Sequence, residues 1–232
     1  MLNWSQLEKF LDGALVTVEI WALSVVVGTV LALLFGFLSR AQSRLLRILA
    51  AVYVEFFRGV SAIILLFWVF FAVPIFFEGL LLSPLISGTI ALGANMGAYG
   101  AEIVRLGIGA VPRGQIDAAT SVGLSGWQTR RYIIFPQAAV TMIPPYGNLL
   151  IELLKGTSLV SLITLSDLLF EAQKLRTGRA VLVDPPSSFV IFGTVLVMYF
   201  VMAQVLAMGV RLVERRAGRG LSFGHHATRV RI

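Results

Sequence analysis

The chain has 232 residues, of which 57% are hydrophobic and only 13% are charged, and its formal net charge is +7. With a mean hydropathy of +0.87, this composition lies outside the range of soluble globular proteins and predicts an integral membrane protein. The absence of cysteine excludes disulfides, thiol catalysis and thiolate metal sites. Basic residues can attract nucleic acid, but here they border apolar segments, so we expect them to set membrane topology and expect no nucleic-acid partner.

Five segments are long and apolar enough to cross a bilayer, which takes about 20 residues per helix. They are residues 14–38, 49–73, 85–104, 133–154 and 189–210. The first is no cleavable signal, because Glu8, Lys9 and Asp12 precede it without a basic excess and its apolar run is too long. We therefore expect a single all-α, multi-pass domain over residues 1–232 with five transmembrane helices.

The arginines predict the orientation, because Lys and Arg beside a span are retained in the cytoplasm. Three regions carry a basic excess: the first loop, the loop of residues 105–132 and the tail of residues 211–232. The second loop has Glu78 and no basic residue, and the fourth balances its charges. The N-terminus is thus expected outside and the C-terminus inside.

The fourth connection, residues 161–188, is long and contains Pro185 and Pro186. Apolar residues nevertheless recur in it at helical spacing, and they are Leu165, Leu168, Leu169, Ala172 and Leu175. This pattern predicts an amphipathic helix on the outer side.

Enzymatic chemistry finds little support in the chain. A phosphate-binding loop needs glycine before its lysine, whereas Lys9, Lys155 and Lys174 follow Glu, Leu and Gln. His225 and His226 lie in the basic tail, far in sequence from any serine or carboxylate that could complete a catalytic or metal site. We expect no catalytic residue, no metal and no cofactor.

Residues 114–136 form a polar segment within this apolar sequence, and the segment contains residues that end and begin helices. Residues 115–122 suffice for about two helical turns, and Gly123 suits the left-handed position that ends a helix. Ser125 and Gln128 have the spacing of a capping box, which begins a second helix. Ile116, Ala119, Thr120 and Gly123 share one predicted face, small enough to enter a groove on another protein.

This passage resembles the coupling motif of binding-protein-dependent ABC importer permeases, which reads EAA, three residues, Gly, nine residues, then Ile-x-Leu-Pro. Here the motif is Asp117-Ala118-Ala119, Gly123 and Ile133-Ile134-Phe135-Pro136, with both spacings intact. Asp replaces Glu and Phe replaces Leu. The resemblance implies that the segment, with Gly114 and Leu124 also in contact, docks on an ATP-binding subunit; an ordinary amphipathic loop is the alternative.

Three further blocks extend the resemblance to the polar amino acid branch, the histidine, glutamate, glutamine, arginine and opine permeases. They are Glu55-Phe56-Phe57-Arg58-Gly59, Gly97-Ala98-Tyr99-Gly100-Ala101-Glu102 and Leu153-Leu154-Lys155-Gly156-Thr157-Ser158-Leu159. Within that branch, the chain looks closest to ectoine and hydroxyectoine permeases. Two combinations carry this resemblance: Arg58-Gly59 with Phe67-Trp68, and Lys155-Gly156-Thr157 before Val160-Ser161-Leu162-Ile163.

The resemblance implies a type I ABC importer fold in the bacterial inner membrane. It also implies the partners: two ATP-binding subunits inside, a second permease subunit that is identical or related, and an extracytoplasmic substrate-binding protein. Transport would then use ATP hydrolysed by the partners, and this chain would perform no bond chemistry.

Charged and polar residues within the predicted spans carry two readings each. Glu55 with Arg58 suits an interfacial ion pair or a substrate contact, and we favour the pair. Glu102 and Arg105, where the third span meets the coupling loop, are expected to transmit motion rather than to contact substrate. Gly93 and Gly97 form a small-xxx-small pattern that predicts close helix packing, within the chain or between chains; a glycine-lined pore is the alternative.

Glu152 and Lys155, near the outer end of the fourth span, match a zwitterionic substrate, because charge within a bilayer usually faces a cavity or partner. A structural ion pair one turn apart fits their spacing equally well. Asn95 and Tyr99 could continue a polar translocation pathway.

A passive channel or membrane scaffold is the competing function. It would tolerate bulky residues at Ala118, Ala119 or Gly123, whereas a coupling helix would not.

Overall fold

In the computed structural model, which describes residues 3–77, 81–178 and 186–219, every regular element is helical. The elements in chain order are α1 Trp4–Leu38, α2 Arg44–Gly59, α3 Ala62–Phe67, a π-helical segment Trp68–Ala72, α4 Val73–Phe76, α5 Pro84–Gly109, α6 Arg113–Ser121, α7 Gly126–Thr129, a second π-helical segment Arg130–Ile134, α8 Phe135–Gly156, a 3₁₀ segment Thr157–Ile163, α9 Leu168–Thr177 and α10 Ser188–Arg219. Glu78, Pro185, both histidines and most of the predicted basic tail lie outside the described residues.

Helices α1 and α5 form the centre of the bundle and approach each other through small residues. A Cβ atom on Gly97 would lie 2.7 Å from both the Leu31 Cβ and the Tyr53 hydroxyl, and 3.2 Å from the Gly28 carbonyl oxygen. A Cβ on Gly93 would meet Val27 at 2.9 Å. The small-xxx-small pattern of α5 therefore serves packing within the chain.

The apolar core lies around this contact. Ile20 of α1, Leu66 of α3 and Met96 of α5 are buried together with Leu149 of α8 and Val160 of the 3₁₀ segment. By contrast, α1 and α10 carry many exposed large apolar side chains, among them Val26, Val30 and Phe200. Those faces suit contact with lipid.

Two helices, α1 and α10, are individually long and apolar enough to cross a membrane, and two further bent pairs qualify if each counts as one span. Within the described residues, α5 is not among them, since its glycine and polar residues lower its hydropathy. The count of five spans and their orientation therefore stay predictions.

The predicted second span, residues 49–73, is not one straight helix. Its two halves, Arg44–Gly59 and Ala62–Phe76, meet at an angle of 102°. The helix ends at Gly59, and Val60 and Ser61 are extended, with ψ of 138° and 133°. Two extended residues end the hydrogen-bond ladder, so the chain turns before α3 begins.

Candidate coupling segment and polar pathway

Helix α6 lies outside the bundle, directly after α5. Pro112 occupies its N-cap in an extended conformation, with φ −60° and ψ 135°, so the proline separates α6 from the end of α5 at Gly109. The side-chain amide of Gln115 hydrogen-bonds that of Gln137. This bond ties the short helix to α8.

The end of α6 is fixed by Gly123, as the sequence predicts. Gly123 has φ +80°, a left-handed conformation that costs a residue with a Cβ about 1–2 kcal/mol. Its amide donates to the Thr120 carbonyl, and the Leu124 amide donates to the Ala119 carbonyl, both at 3.0 Å. These two bonds form a Schellman motif and satisfy the last carbonyls of α6.

The predicted capping box is also confirmed. The Ser125 amide donates to the Gln128 side chain at 2.8 Å, and the Gln128 amide donates to the Ser125 hydroxyl at 3.3 Å. It begins α7, which continues through the π-helical segment Arg130–Ile134 into α8. That π-helical segment stands just before Pro136, which has no amide hydrogen to donate to the preceding turn.

The predicted docking face of α6 is wrong in part. Ala119 is buried against the rest of the chain and Ile116 is half-buried, because the apolar side of this helix packs inward. Thr120 of the predicted face is exposed, and a second exposed face consists of Gly114, Asp117, Ala118 and Ser121, which recur at i, i+3, i+4 and i+7. Gly123 is exposed and Leu124 is half-buried beside it.

A polar patch on α5 brings several predicted residues together. The Asn95 amide group donates to the Phe57 carbonyl at 2.8 Å. The Arg58 guanidinium lies 5.4 Å from the centre of the Tyr99 ring, within range of a cation–π interaction. One turn further, the Arg105 guanidinium donates to both Glu102 oxygens at 2.6 and 2.8 Å.

The preferred Glu55–Arg58 ion pair is wrong, since the structure has no such bridge within 4.0 Å in the part of the chain it describes. Arg58 stacks on Tyr99 of α5 instead. It also interacts electrostatically with Glu102. Glu55 is left exposed on α2. The spacing of three residues between Glu55 and Arg58 did not identify the partner of Arg58, because that partner lies on the neighbouring helix α5.

Glu152 and Lys155 lie on a different surface. Both are exposed on α8, and among the described residues neither takes part in an ion pair. A structural pair between them is therefore not formed. Thr141 and Asn148 are exposed along the same helix at heptad spacing, with Pro145 between them, so α8 carries a row of mostly polar exposed residues. Asn148 was not predicted as part of this row, although its spacing of four residues from Glu152 could have indicated it.

The sequence did not predict a buried polar network around Asp167. Asp167 is fully buried at the N-cap of α9, where its carboxylate accepts from the Phe170 amide at 3.0 Å and the Leu169 amide at 3.4 Å. The Leu168 amide donates to the Thr17 hydroxyl of α1 at 3.1 Å, and the Tyr199 hydroxyl of α10 donates to Asp167 at 3.5 Å. Asp167 lies in the connection between the predicted fourth and fifth spans, and burial raises the pKa of its carboxyl to about 6.

The sequence matches a known family over most of its length. Residues 25–219 match the profile of the binding-protein-dependent transport system inner membrane component. The chain belongs to this family of permeases. It is therefore a transport component and not an enzyme.

Individual relatives agree with the family. The chain is 41% identical to a probable amino-acid ABC transporter permease protein, y4tF, of Sinorhizobium fredii, over 89% of this chain and 86% of that one. It is 32% identical to the glutamine transport system permease protein GlnP of Escherichia coli, over 92% and 94%. A crystal structure of an amino acid ABC transporter with histidines superposes with a TM-score of 0.83 at 28% identity, covering 93% of this chain and 99% of that chain.

Proposed function

We propose that this chain is the membrane subunit of an ABC importer for a polar amino acid or related zwitterion, driven by ATP hydrolysis in partner subunits. The observation that carries the proposal is α6, a nine-residue helix with an exposed face at one end of the bundle. Membership of the permease family supports the same role. Relatives named for amino-acid and glutamine transport support the substrate class.

The coupling contact is made by the exposed face of α6. Gly114, Asp117 and Ala118 contact the ATP-binding subunit, since they project outward. Ala119 does not contact that subunit; it is buried and anchors α6 to the bundle. Gly123 and Leu124 fix the turn between α6 and α7, and thereby the angle between these helices. A shift of α6 is thereby passed to α8 through the short connection between them.

The substrate pathway follows the two polar surfaces, with Asn95 and Tyr99 on α5 and Glu152 and Lys155 on α8. Glu152 and Lys155 have no partner charge in the described chain, so a zwitterion can pair with both. Arg58, Glu102 and Arg105 join the α5 face to the coupling end and transmit motion. Glu55 lies beside this group on α2 without joining it.

The complete transporter contains two permease subunits, identical or related, because one chain offers few inward-facing polar positions. Two ATP-binding subunits bind on the cytoplasmic side, at α6, and a substrate-binding protein delivers substrate from outside. This arrangement follows the predicted orientation, in a bacterial inner membrane, with the N-terminus outside and the basic tail inside. Alternating access results from movement of both coupling helices.

Ectoine or hydroxyectoine is the first substrate to test. Support comes from the segments Arg58-Gly59 and Lys155-Gly156-Thr157, which resemble those of ectoine permeases, and from the separated charges on α8. The glutamine relative favours a proteinogenic amino acid instead.

The test is ATPase activity of the co-expressed transporter in liposomes with ectoine, arginine, glutamine or histidine and the binding protein. Stimulation by ectoine alone supports the full proposal. Stimulation by an amino acid keeps the transporter and replaces the substrate. If none of the tested ligands stimulates hydrolysis although the assembled complex binds ATP, the proposed substrate class is wrong.

A further inference from the structure

A cleft at the coupling end of the bundle combines basic and apolar side chains. Its volume is about 590 Å³, within the range of small-molecule sites. The residues that matter for the argument are Phe37, Arg40, Gln42, Ile108, Arg130 and Phe135. Phe37 and Ile108 lie at the ends of α1 and α5, while Arg130 and Phe135 precede and begin α8. Three long helices thus end or begin around this cleft, which places it at the edge of the bundle's apolar part.

The two arginines of the cleft lack carboxylate partners. The described chain has two ion pairs, Glu102–Arg105 and Glu171–Lys174, and neither involves Arg40 or Arg130. Arg40 donates through Nε to the Arg105 carbonyl at 3.2 Å, which positions its guanidinium and leaves other N–H groups available. Residues 41–54, which comprise the end of the α1–α2 connection and most of α2, contain Arg44 and Arg47 but no acidic residue. No carboxylate in this stretch neutralises the cleft.

The cleft walls are apolar and continue onto the exposed side of the bundle. The Phe37 and Phe135 rings contact edge to face, with centroids 5.8 Å apart. Phe37 itself is 45% exposed, and Leu33 and Leu34 are exposed one turn earlier on α1. A ligand held by the arginines would therefore have its remainder on an apolar surface that faces lipid.

We propose that this cleft binds the headgroup phosphate of an anionic phospholipid, with its acyl chains along Phe37 and Phe135. Guanidinium groups bind phosphate oxygens through paired hydrogen bonds. Basic pockets between helices at a membrane surface suit anionic headgroups. The inference does not depend on ATP coupling, since lipid binding requires no turnover.

The test uses the full-length chain, co-purified with its ATP-binding subunit in detergent, with lipid binding followed by native mass spectrometry. The probes are dioleoyl phosphatidylglycerol, dioleoyl phosphatidylcholine and inorganic phosphate. The double variant Arg40→Gln/Arg130→Gln is compared with Arg44→Gln/Arg131→Gln. The second pair removes the same charge near the same end of the bundle, but its residues do not line the cleft.

Wild type is expected to prefer phosphatidylglycerol, and inorganic phosphate is not expected to displace it. The cleft variant should bind phosphatidylglycerol about 25-fold more weakly, from roughly fivefold per arginine, while the control variant changes little. Equal losses in both variants, equal binding of phosphatidylcholine, or displacement by inorganic phosphate would overturn the lipid site. So would binding of the lipid to the permease alone but not to its complex with the ATP-binding subunit, because the cleft would then be a protein contact. If the cleft variant fails to fold, equal wild-type binding of the two lipids or displacement by inorganic phosphate still overturns the proposal.

Discussion

The two short helices at opposite ends of α8 are built in contrasting ways. Helix α9 is closed into the chain: Leu168 and Ala172 are buried, and the Asp167 cap bonds within the protein. Helix α6 buries Ala119 alone and leaves Gly114, Asp117 and Ala118 exposed. Length and polarity therefore do not by themselves indicate a docking helix. What distinguishes α6 is an exposed face on a rigidly capped segment.

We expect the largest loss of stability from a substitution at the close contact of α1 with α9. A Cβ on Gly13 would lie 2.9 Å from the Leu168 Cα and 3.0 Å from the Asp167 carbonyl oxygen, so Gly13→Leu must push α9 away. We expect a loss of about 3 kcal/mol or more in stability, measured as a lower melting temperature in detergent.

Gly114→Leu on α6 is the matched control, because a Cβ there meets nothing within 4 Å. Its stability should stay within about 0.5 kcal/mol of wild type. Equal destabilisation by the two substitutions would remove the contrast between the helices.

Asp167 makes the closed end sensitive to pH. Its pKa is about 6 in the folded protein against 3.8 ordinarily, so the folded chain holds this proton more tightly. The stabilising contribution is complete below pH about 4 and is lost as the pH rises through about 6. Asp167→Asn keeps a cap oxygen and does not titrate. Its free energy of unfolding should therefore rise relative to that of wild type by up to roughly 3 kcal/mol between pH about 4 and about 7.

Thermal unfolding of both proteins across that pH range measures the gain. Asp167→Ala is the control that lacks a cap, and it should be less stable than Asp167→Asn by about 1 kcal/mol at every pH. A pH-independent difference between Asp167→Asn and wild type would show that Asp167 does not titrate in this range.

At the open end, the left-handed turn after α6 should respond to a single methyl group. Gly123→Ala meets no neighbour within 4 Å, yet φ of +80° strains any side chain there. We expect a cost of about 1–2 kcal/mol. Gly126→Ala is the companion variant, since it is also unobstructed but has no positive φ. Equal stability of the two variants would argue against the Schellman turn.

The polar patch between the two ends should contribute least to stability. Arg58→Gln removes an exposed cation–π contact with Tyr99, worth about 0.5–1 kcal/mol. Its melting temperature should fall only slightly, while transport falls if Arg58 transmits motion. Glu55→Gln is the control, because Glu55 forms no ion pair in the described chain. Equal uptake by Arg58→Gln and Glu55→Gln would show that Arg58 does not transmit motion.

Local features were predictable from sequence and distant ones were not. The left-handed Gly123 and the capping box of Ser125 and Gln128 depend on residues within four positions, so their spacing sufficed. The Leu168–Thr17 bond joins residues 151 positions apart, and no local pattern announces it. The partner of Arg58 was missed for the same reason, since Tyr99 belongs to another helix.

The bend after Gly59 had a different cause. Residues 49–73 are apolar throughout, with Glu55 and Arg58 as the charged exceptions. Hydropathy therefore predicted one span, although Val60 and Ser61 adopt extended conformations that no hydropathy measure detects.

The most direct test of the account is ATP-driven uptake by Ala118→Trp, with Ala118→Ser as the control at the same position. Ala118 is exposed on α6, so neither substitution should affect folding or membrane insertion. We expect the tryptophan to weaken docking of the ATP-binding subunit by about 2 kcal/mol or more, which is about 30-fold, and to abolish uptake, while the serine variant transports normally. Wild-type uptake by Ala118→Trp at equal membrane levels would contradict the assignment of α6 as the coupling helix.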